Sequence, residues 1–346
     1  MSLSAAGVEE SDTAPTFRNM FGSRLRIPVI AAPMLRVSGV ELVSAACAAG
    51  VVGAFPTANA RTIEELDTWL TIFDREQEES GGTIAPYCPN LIIRQPRLAD
   101  DLACLLRHRV ELVIASVGSP APIIGPLHDI DAKVFADVGT LRHAEKAVAA
   151  GADGLVLLSA GAGGQTGWMN PFVFVRAVRE FFDGTVILAG GISDGHALWA
   201  AEVAGYDAAY MGTRFIATDE SAGAPAYKDM LVASTMDDVL LTNAFTGLRT
   251  NMLEPSIRAQ GLDPGKLNEQ ISVKDSAELF GAKAPAAGPV RWTDVWSAGH
   301  TVSGVKRRGP VSDLVRDTRN EYDSARARTR SMLEMQANVT ALEELQ

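Results

Sequence analysis

One unit recurs between Ile27 and Met211: a short apolar run rich in β-branched residues, a turn, and a helical stretch that often stops at Gly. The first run, residues 28–32, enters a turn at Pro33–Met34, and the helix over 40–49 ends at Gly50. Runs over 51–55, 83–87, 111–117, 133–137, 154–159, 185–189 and 208–211 follow. The helical patterns between them cover 63–78, 98–108, a short stretch after Pro120, 141–150, 171–182 and 195–204. Short buried strands alternating with helices specify βαβ units and a parallel sheet. Eight units in about 190 residues, without a long break, fit a closed (β/α)8 TIM barrel of the α/β class better than an open sheet. An open doubly wound sheet would carry GxGxxG after its first strand, whereas this chain reads AAPMLRVSG there.

The remaining segments divide the chain. Residues 1–16 read as a disordered lead-in, and 17–222 together with part of the C-terminal tail as the barrel. Residues 225–310 read as a helical cap over the barrel, with loop signals at 242–251 and a Pro/Gly/Ala stretch at 281–289. Residues 311–346 read as a C-terminal helix.

Composition narrows the partners. A formal net charge of −11 with no basic stripe argues against nucleic acid and anionic membranes. Lys306–Arg308 is a short basic run that reads as a solvated loop. The apolar runs fall short of the roughly 18 residues of a membrane span, and the N-terminus lacks the basic and apolar regions of a signal peptide. Cys47, Cys88 and Cys104 make no metal-binding spacing and fit a reducing compartment, so the expectation is a cytoplasmic protein without a metal site. The sequence leaves a homodimer open.

In such barrels the active site lies at the C-terminal ends of the strands. Two loops there carry the strongest signal: AGGISDG at 189–195 after the seventh run and MGTRF at 211–215 after the eighth. Loops after strands seven and eight often bind phosphate. Gly190 and Gly191 let backbone approach an anion, the helix start around Ser193–Gly195 adds N–H donors, and Gly212 and Thr213 face them. After the sixth run, SAGAGGQTGWMNP (159–171) can pass flat against a planar ring through Ala162, Gly163 and Gly164. Its long polar side chain, Gln165, points into the barrel mouth. Ala32, Pro33 and Met34 end the first run, where backbone can stack under a ring, and the amide of Asn90 suits a heterocycle edge. Of the histidines, His108, His128 and His143 fall on helices or helix ends and read as surface residues. His196 reads as a packing residue, and His300, in WSAGH, is a candidate acid or base in the cap.

At these residues the chain resembles the nitronate monooxygenase (2-nitropropane dioxygenase) family. The pieces that match are APM at 32–34, Asn90, AGAGGxxG at 160–167, and AGGISDG with MGTRFIAT across 189–218. The resemblance implies an FMN oxidoreductase in which an anionic carbon substrate gives electrons to the flavin and O2 takes them. Met34 and its neighbours would contact the isoalloxazine, Asn90 its pyrimidine side, and Gly163 and Gly164 the ring edge. Gly190, Gly191, Gly212 and Thr213 would bind the phosphate. Two positions depart from the pattern. Members that oxidise neutral nitroalkanes usually carry GGHxG, and Gln165 replaces that His; an amide is no general base. Many relatives carry Lys after strand five, where this chain has Asp137, within the cofactor's surroundings. The same family implies an alternative, an NAD(P)H-dependent reductase of an enoyl thioester (CoA or carrier protein) or a quinone. Loss of the His motivates a third reading, a non-catalytic flavin-binding protein. A purine-nucleotide dehydrogenase would need a Cys in the strand-six loop, and 159–168 contain none.

Overall fold

A computed structural model describes residues 17–281 and 288–343; residues 1–16, read as a lead-in, and most of the 281–289 stretch lie outside them. Eight parallel strands close into a barrel. They are β1 (Val29–Ala31), β2 (Val52–Pro56), β3 (Tyr87–Ile92), β4 (Leu112–Ser116), β5 (Lys133–Val138), β6 (Gly154–Leu158), β8 (Thr185–Ala189) and β9 (Ala208–Met211). β1 closes the ring by pairing with β9, Ile30 opposite Tyr210. The strands are buried on both faces, one against the helices and one against the interior, so they read as continuous apolar runs.

The interior is filled by Ile30, Val52, Ala54, Cys88, Ile114, Phe135, Val156, Ile187 and Ala208. Phe17 and Phe21, on the helix Phe17–Phe21, close the lower end; the Phe17 ring lies 6.3 Å from that of Phe135. One end is therefore sealed by aromatic packing and the other is left for polar groups.

The third strand differs from its expected position. It starts at Tyr87, not residue 83, and continues to Ile92. Pro86 and Pro89 do not interrupt the pairing, because a proline removes only a donor. The carbonyl of Pro86 still accepts from Gly53 N at 3.3 Å, and Asn90, Leu91 and Ile92 continue the pairing with β4. Asn90 thus sits inside a strand.

The cap segment also differs: it is not wholly helical. β10 (Val239–Thr242) and β11 (Thr250–Leu253) form an antiparallel pair, and the loop signals at 242–251 mark their connection. β11 pairs in turn with β7 (Gly164–Gln165), which lies in the glycine loop after β6. This three-stranded sheet ties the cap to the barrel mouth.

The helix Val311–Glu343 packs on the helices Gly195–Ala204 and Val40–Ala49. Gly195 permits that contact, because a Cβ there would overlap Tyr322 N and Thr318 O.

Candidate active site

The strand ends open into a cavity of about 1020 Å³. All twelve residues expected to hold a cofactor line it: Ala32, Pro33, Met34, Asn90, Asp137, Ala162, Gly163, Gly164, Gly190, Gly191, Gly212 and Thr213. Gln165 lines it too, with an exposed side chain. His300 is not among the lining residues. It is exposed, and its ring stands over Gly161, where a Cβ would lie 2.7 Å from Nδ1.

The glycines of the upper wall adopt backbone that other residues rarely reach. Gly190 has φ 113° and Gly191 φ 82°. Among the described residues, no group accepts from the N–H of Gly190, Gly191, Gly212 or Thr213. Unpaired backbone donors beside a cavity make an anion site. At the helix start that follows, Gly195 N donates to Glu321 Oε2 at 3.0 Å and Ala197 N to Asp194 Oδ1 at 2.8 Å, so carboxylates hold these two donors. Of the donors expected at Ser193–Gly195, Gly195 N is therefore taken.

The glycine loop is clamped by the cap. Gly164 N donates to Ser297 Oγ at 2.6 Å, which donates to Asn251 O at 2.8 Å. Asn251 Nδ2 donates to Ala162 O at 2.7 Å, and His300 N to Gly161 O at 2.9 Å. Gly299 N donates to Thr213 Oγ1 at 3.0 Å. Gly163 and Gly299 meet backbone to backbone: a Cβ on Gly299 would lie 2.6 Å from Gly161 O, and one on Gly163 2.8 Å from Gly299 N. Thr213 therefore contributes its N–H to the cavity while its hydroxyl holds the cap.

Below this rim the wall turns polar. Asn90 Nδ2 donates to Ile114 O at 3.1 Å and its Oδ1 accepts from Ser116 Oγ at 3.1 Å. One N–H and one acceptor lone pair remain for a ligand. Asp137 and Tyr210 project inward from β5 and β9. Asp137 Oδ1 and Tyr210 Oη are both buried with no hydrogen-bond partner. Burial pushes the Asp137 carboxyl up to about 7. Tyr210 is held well above its ordinary range by burial, then by the charges of Asp137 and Cys88. Asp137 is the single carboxylate among the lining residues, against Arg94, Lys146, Arg249 and Arg291. Arg291 Nη1 donates to Phe245 O at 2.9 Å. Arg94, Lys146 and Arg249 are exposed at the mouth without an ion pair among the described residues, Arg249 lying 5.3 Å over the Trp168 ring.

The nitronate monooxygenase family profile matches residues 89–321 of this chain, which takes in the glycine loop, both phosphate-type loops and the clamping segment 297–300. The chain belongs to the nitronate monooxygenase family. It is thus an oxidoreductase. It is 26% identical over 337 residues to the nitronate monooxygenase of Paraburkholderia phytofirmans, covering 85% of this chain and 92% of that one. It is 30% identical over 245 residues to (3aS,4S,5R,7aS)-5-hydroxy-7a-methyl-1-oxo-octahydro-1H-indene-4-carboxyl-CoA dehydrogenase of Mycobacterium tuberculosis, covering 68% and 67%. The solved nitroalkane oxidase of Streptomyces ansochromogenes superposes with a TM-score of 0.70 at 26% identity, over 89% of this chain and 99% of its own length.

Within this family member, the sequence pattern did not single out Tyr210, Ser116 or the cations of the mouth. Tyr210 had one signal: it lies two residues from Ala208 on a strand, hence on the same face. The cations had none, since Lys146 lies on the helix Leu141–Ala149 and Arg249 in the cap. Among the described residues no helix is long and apolar enough to cross a membrane. Asp67, Cys104 and His108 form a cluster away from the cavity, in which Asp67 Oδ1 already accepts from Arg107 at 2.8 Å and lies 3.1 Å from His108 Nε2.

Proposed function

We propose that this protein is an FMN-dependent oxidoreductase that takes electrons from a nitronate-like anionic carbon substrate and passes them to O2. The observation that carries the reading is the cradle of four unpaired N–H groups at Gly190, Gly191, Gly212 and Thr213, at the edge of a cavity that the glycine loop borders. A phosphate fits these donors, as expected of loops after the last two barrel strands. Open space at Gly191, and only ordinary contact distances around a Cβ on Gly212, leave room for it.

Bound FMN would supply a two-electron acceptor that O2 can reoxidise. The chain supplies position and electrostatics. Ala32–Met34 backbone and the Gly163–Gly164 edge would hold the ring between them, and the spare donor and acceptor of Asn90 would fix its orientation. Gln165, fixed by the pairing of β7 with β11, reaches the mouth and can hydrogen-bond a nitro or carbonyl oxygen. Arg94, Lys146 and Arg249 draw an anion to the mouth of a protein that is otherwise acidic.

Purified protein should be yellow. A nitronate, added anaerobically, should bleach the flavin, and air should restore it; a yellow protein whose spectrum a nitronate leaves unchanged refutes the reaction.

A second reading, an NAD(P)H-dependent reductase of a CoA or carrier-protein thioester, is favoured by the CoA-ester dehydrogenase at 30% identity, by Arg249 over exposed Trp168, and by Arg94 and Lys146 lining the same cavity. Anaerobic bleaching by NADPH or NADH, and not by a nitronate, would select it. Three buried thiols without a disulfide accord with a reducing cytoplasm.

A further inference from the structure

We propose that Asp137 is the proton acceptor of this site, taking a proton from a neutral carbon acid bound in the cavity. The inference rests on the flavin-oxidoreductase reading above and extends its substrate range. Gln165 stands where a base is missing, and the base is supplied from the opposite direction, out of the barrel interior.

The geometry comes first. Asp137 lines the cavity from β5, and its remaining exposure is toward that cavity. Its Oδ1 is sealed in the barrel with no donor to stabilise a negative charge. No ion pair compensates it: among the described residues none of the salt bridges includes Asp137. The titratable groups that face it are Cys88 from β3 and Tyr210 from β9, both neutral, raised first by burial and then by the Asp137 charge. β4 presents Ser116 and β6 Leu158, neither of which titrates. His143 and Lys146 line the same cavity from the rim and are exposed.

The chemistry follows. A carboxyl at its ordinary value of 3.8 is too weak a base to hold a carbon-bound proton, whereas one pushed up to about 7 has a basicity matched to neutral operation. Other cavity groups do not serve. Tyr227 donates its hydroxyl to Ser297 O, Tyr210 stays protonated, and the amides of Gln165 and Asn90 have no usable basicity. In the step, the C–H bond next to a nitro or thioester carbonyl group breaks. Its electron pair stays on the substrate, delocalised into that group. The proton bonds to a carboxyl oxygen of Asp137, which becomes neutral as the substrate becomes an anion. The polar mouth then returns the proton to water.

The test is exchange of the α-hydrogens of nitroethane for deuterium in D2O, by flavin-loaded protein held anaerobic and followed by proton NMR. Exchange reads proton removal without requiring oxidation. The expected result is catalysed exchange that rises through a midpoint near about 7, falls at least about 100-fold in Asp137→Asn, and persists in His143→Gln. Asp137→Ala serves if the Asn variant does not fold. No exchange by the wild type, exchange unchanged in the Asp137 variants, or exchange lost with His143 would each overturn the proposal. Bleaching by ethyl nitronate is measured on the same sample. If the nitronate bleaches and exchange is absent, Asp137 is not the base; if the nitronate fails to bleach, the flavin-oxidase reading itself is at fault.

Discussion

The ionisation of Asp137 should be visible in stability as well as in chemistry. In the unfolded chain this carboxyl titrates near its ordinary 3.8, and burial raises it to about 7 in the fold. A group whose native pKa is raised binds its proton more tightly when folded, so stability falls as pH rises from the lower value to the higher. Below about 3.8 both states are protonated and the carboxyl costs nothing. Above about 7 both are ionised, and the native state carries the full penalty. At 1.36 kcal/mol per pKa unit this is about 4 kcal/mol, an upper figure because the residue keeps some exposure. At about pH 5 the penalty is near 1.6 kcal/mol by the same relation. Asp137→Asn removes the titration and adds an amide whose own cost does not change with pH. The difference between wild type and variant should therefore grow by about 2.5 kcal/mol between about pH 5 and about pH 8, in favour of the variant. Urea unfolding of the flavin-free proteins at both pH values measures it. A difference that stays flat across this interval would refute a buried, uncompensated carboxyl at this position.

Three other outcomes test the frame around the site. Gly299→Ala drives a Cβ into Gly161 O and Gly163 N, so it should cost about 1–3 kcal/mol and weaken flavin binding, measured by thermal melting and by quenching of flavin fluorescence. Arg249→Ala combined with Lys146→Ala should raise the KM for a nitronate several-fold while changing kcat little, and the effect should fade as salt is raised, because exposed charges are screened within about 10 Å at 0.1 M. His108→Ala removes a ring that bridges Asp74 Oδ2 at 2.6 Å and Asp67 Oδ1 at 3.1 Å on the outside of the barrel, and should cost about 1–3 kcal/mol in urea unfolding with no change in flavin affinity.

The barrel was readable because every strand of a parallel sheet is a short apolar run, and the site because barrel chemistry gathers at the strand ends. The same burial on both faces hid which residues point inward. In AAYM only the two-residue spacing from Ala208 hints that Tyr210 is an interior group, and β9 turns it toward Asp137. Two other features were hidden because they are made by partners far along the chain. The antiparallel pairing of Gly164–Gln165 with Thr250–Asn251 has no local signature at either segment, so the glycine loop read as a plain loop and the cap as helical. The N–H of Gly195 looked like a phosphate donor until Glu321, on the C-terminal helix, took it. His300 followed the opposite course. Its segment does reach the mouth, but Gly299 and Ser297 make the contacts there and the imidazole faces outward.

These contacts divide the glycines of the site into two kinds, and the division can be tested. Gly161, Gly163 and Gly167 are glycines because the protein's own atoms lie too close for a Cβ: the His300 ring, Gly299 N and Leu158 O respectively. Substituting them would disturb the fold and say little about a ligand. Gly212 is of the other kind. Its φ of −107° and ψ of −69° suit any residue, and a Cβ would lie 3.5 Å from Met34 Sδ and 3.7 Å from Ala32 Cβ, ordinary contacts. The fold alone therefore gives no reason for glycine at 212, and Ala should stabilise the flavin-free protein slightly, by up to about 1 kcal/mol, through the unfolded chain. A phosphate drawn to the N–H groups of Gly212 and Thr213 gives such a reason, since the added methyl would crowd it. Gly212→Ala should then lower flavin affinity at least about tenfold, or about 1.4 kcal/mol, while leaving the flavin-free melting temperature unchanged or raised. Equal affinity in the two proteins would mean that the phosphate is held elsewhere on the rim.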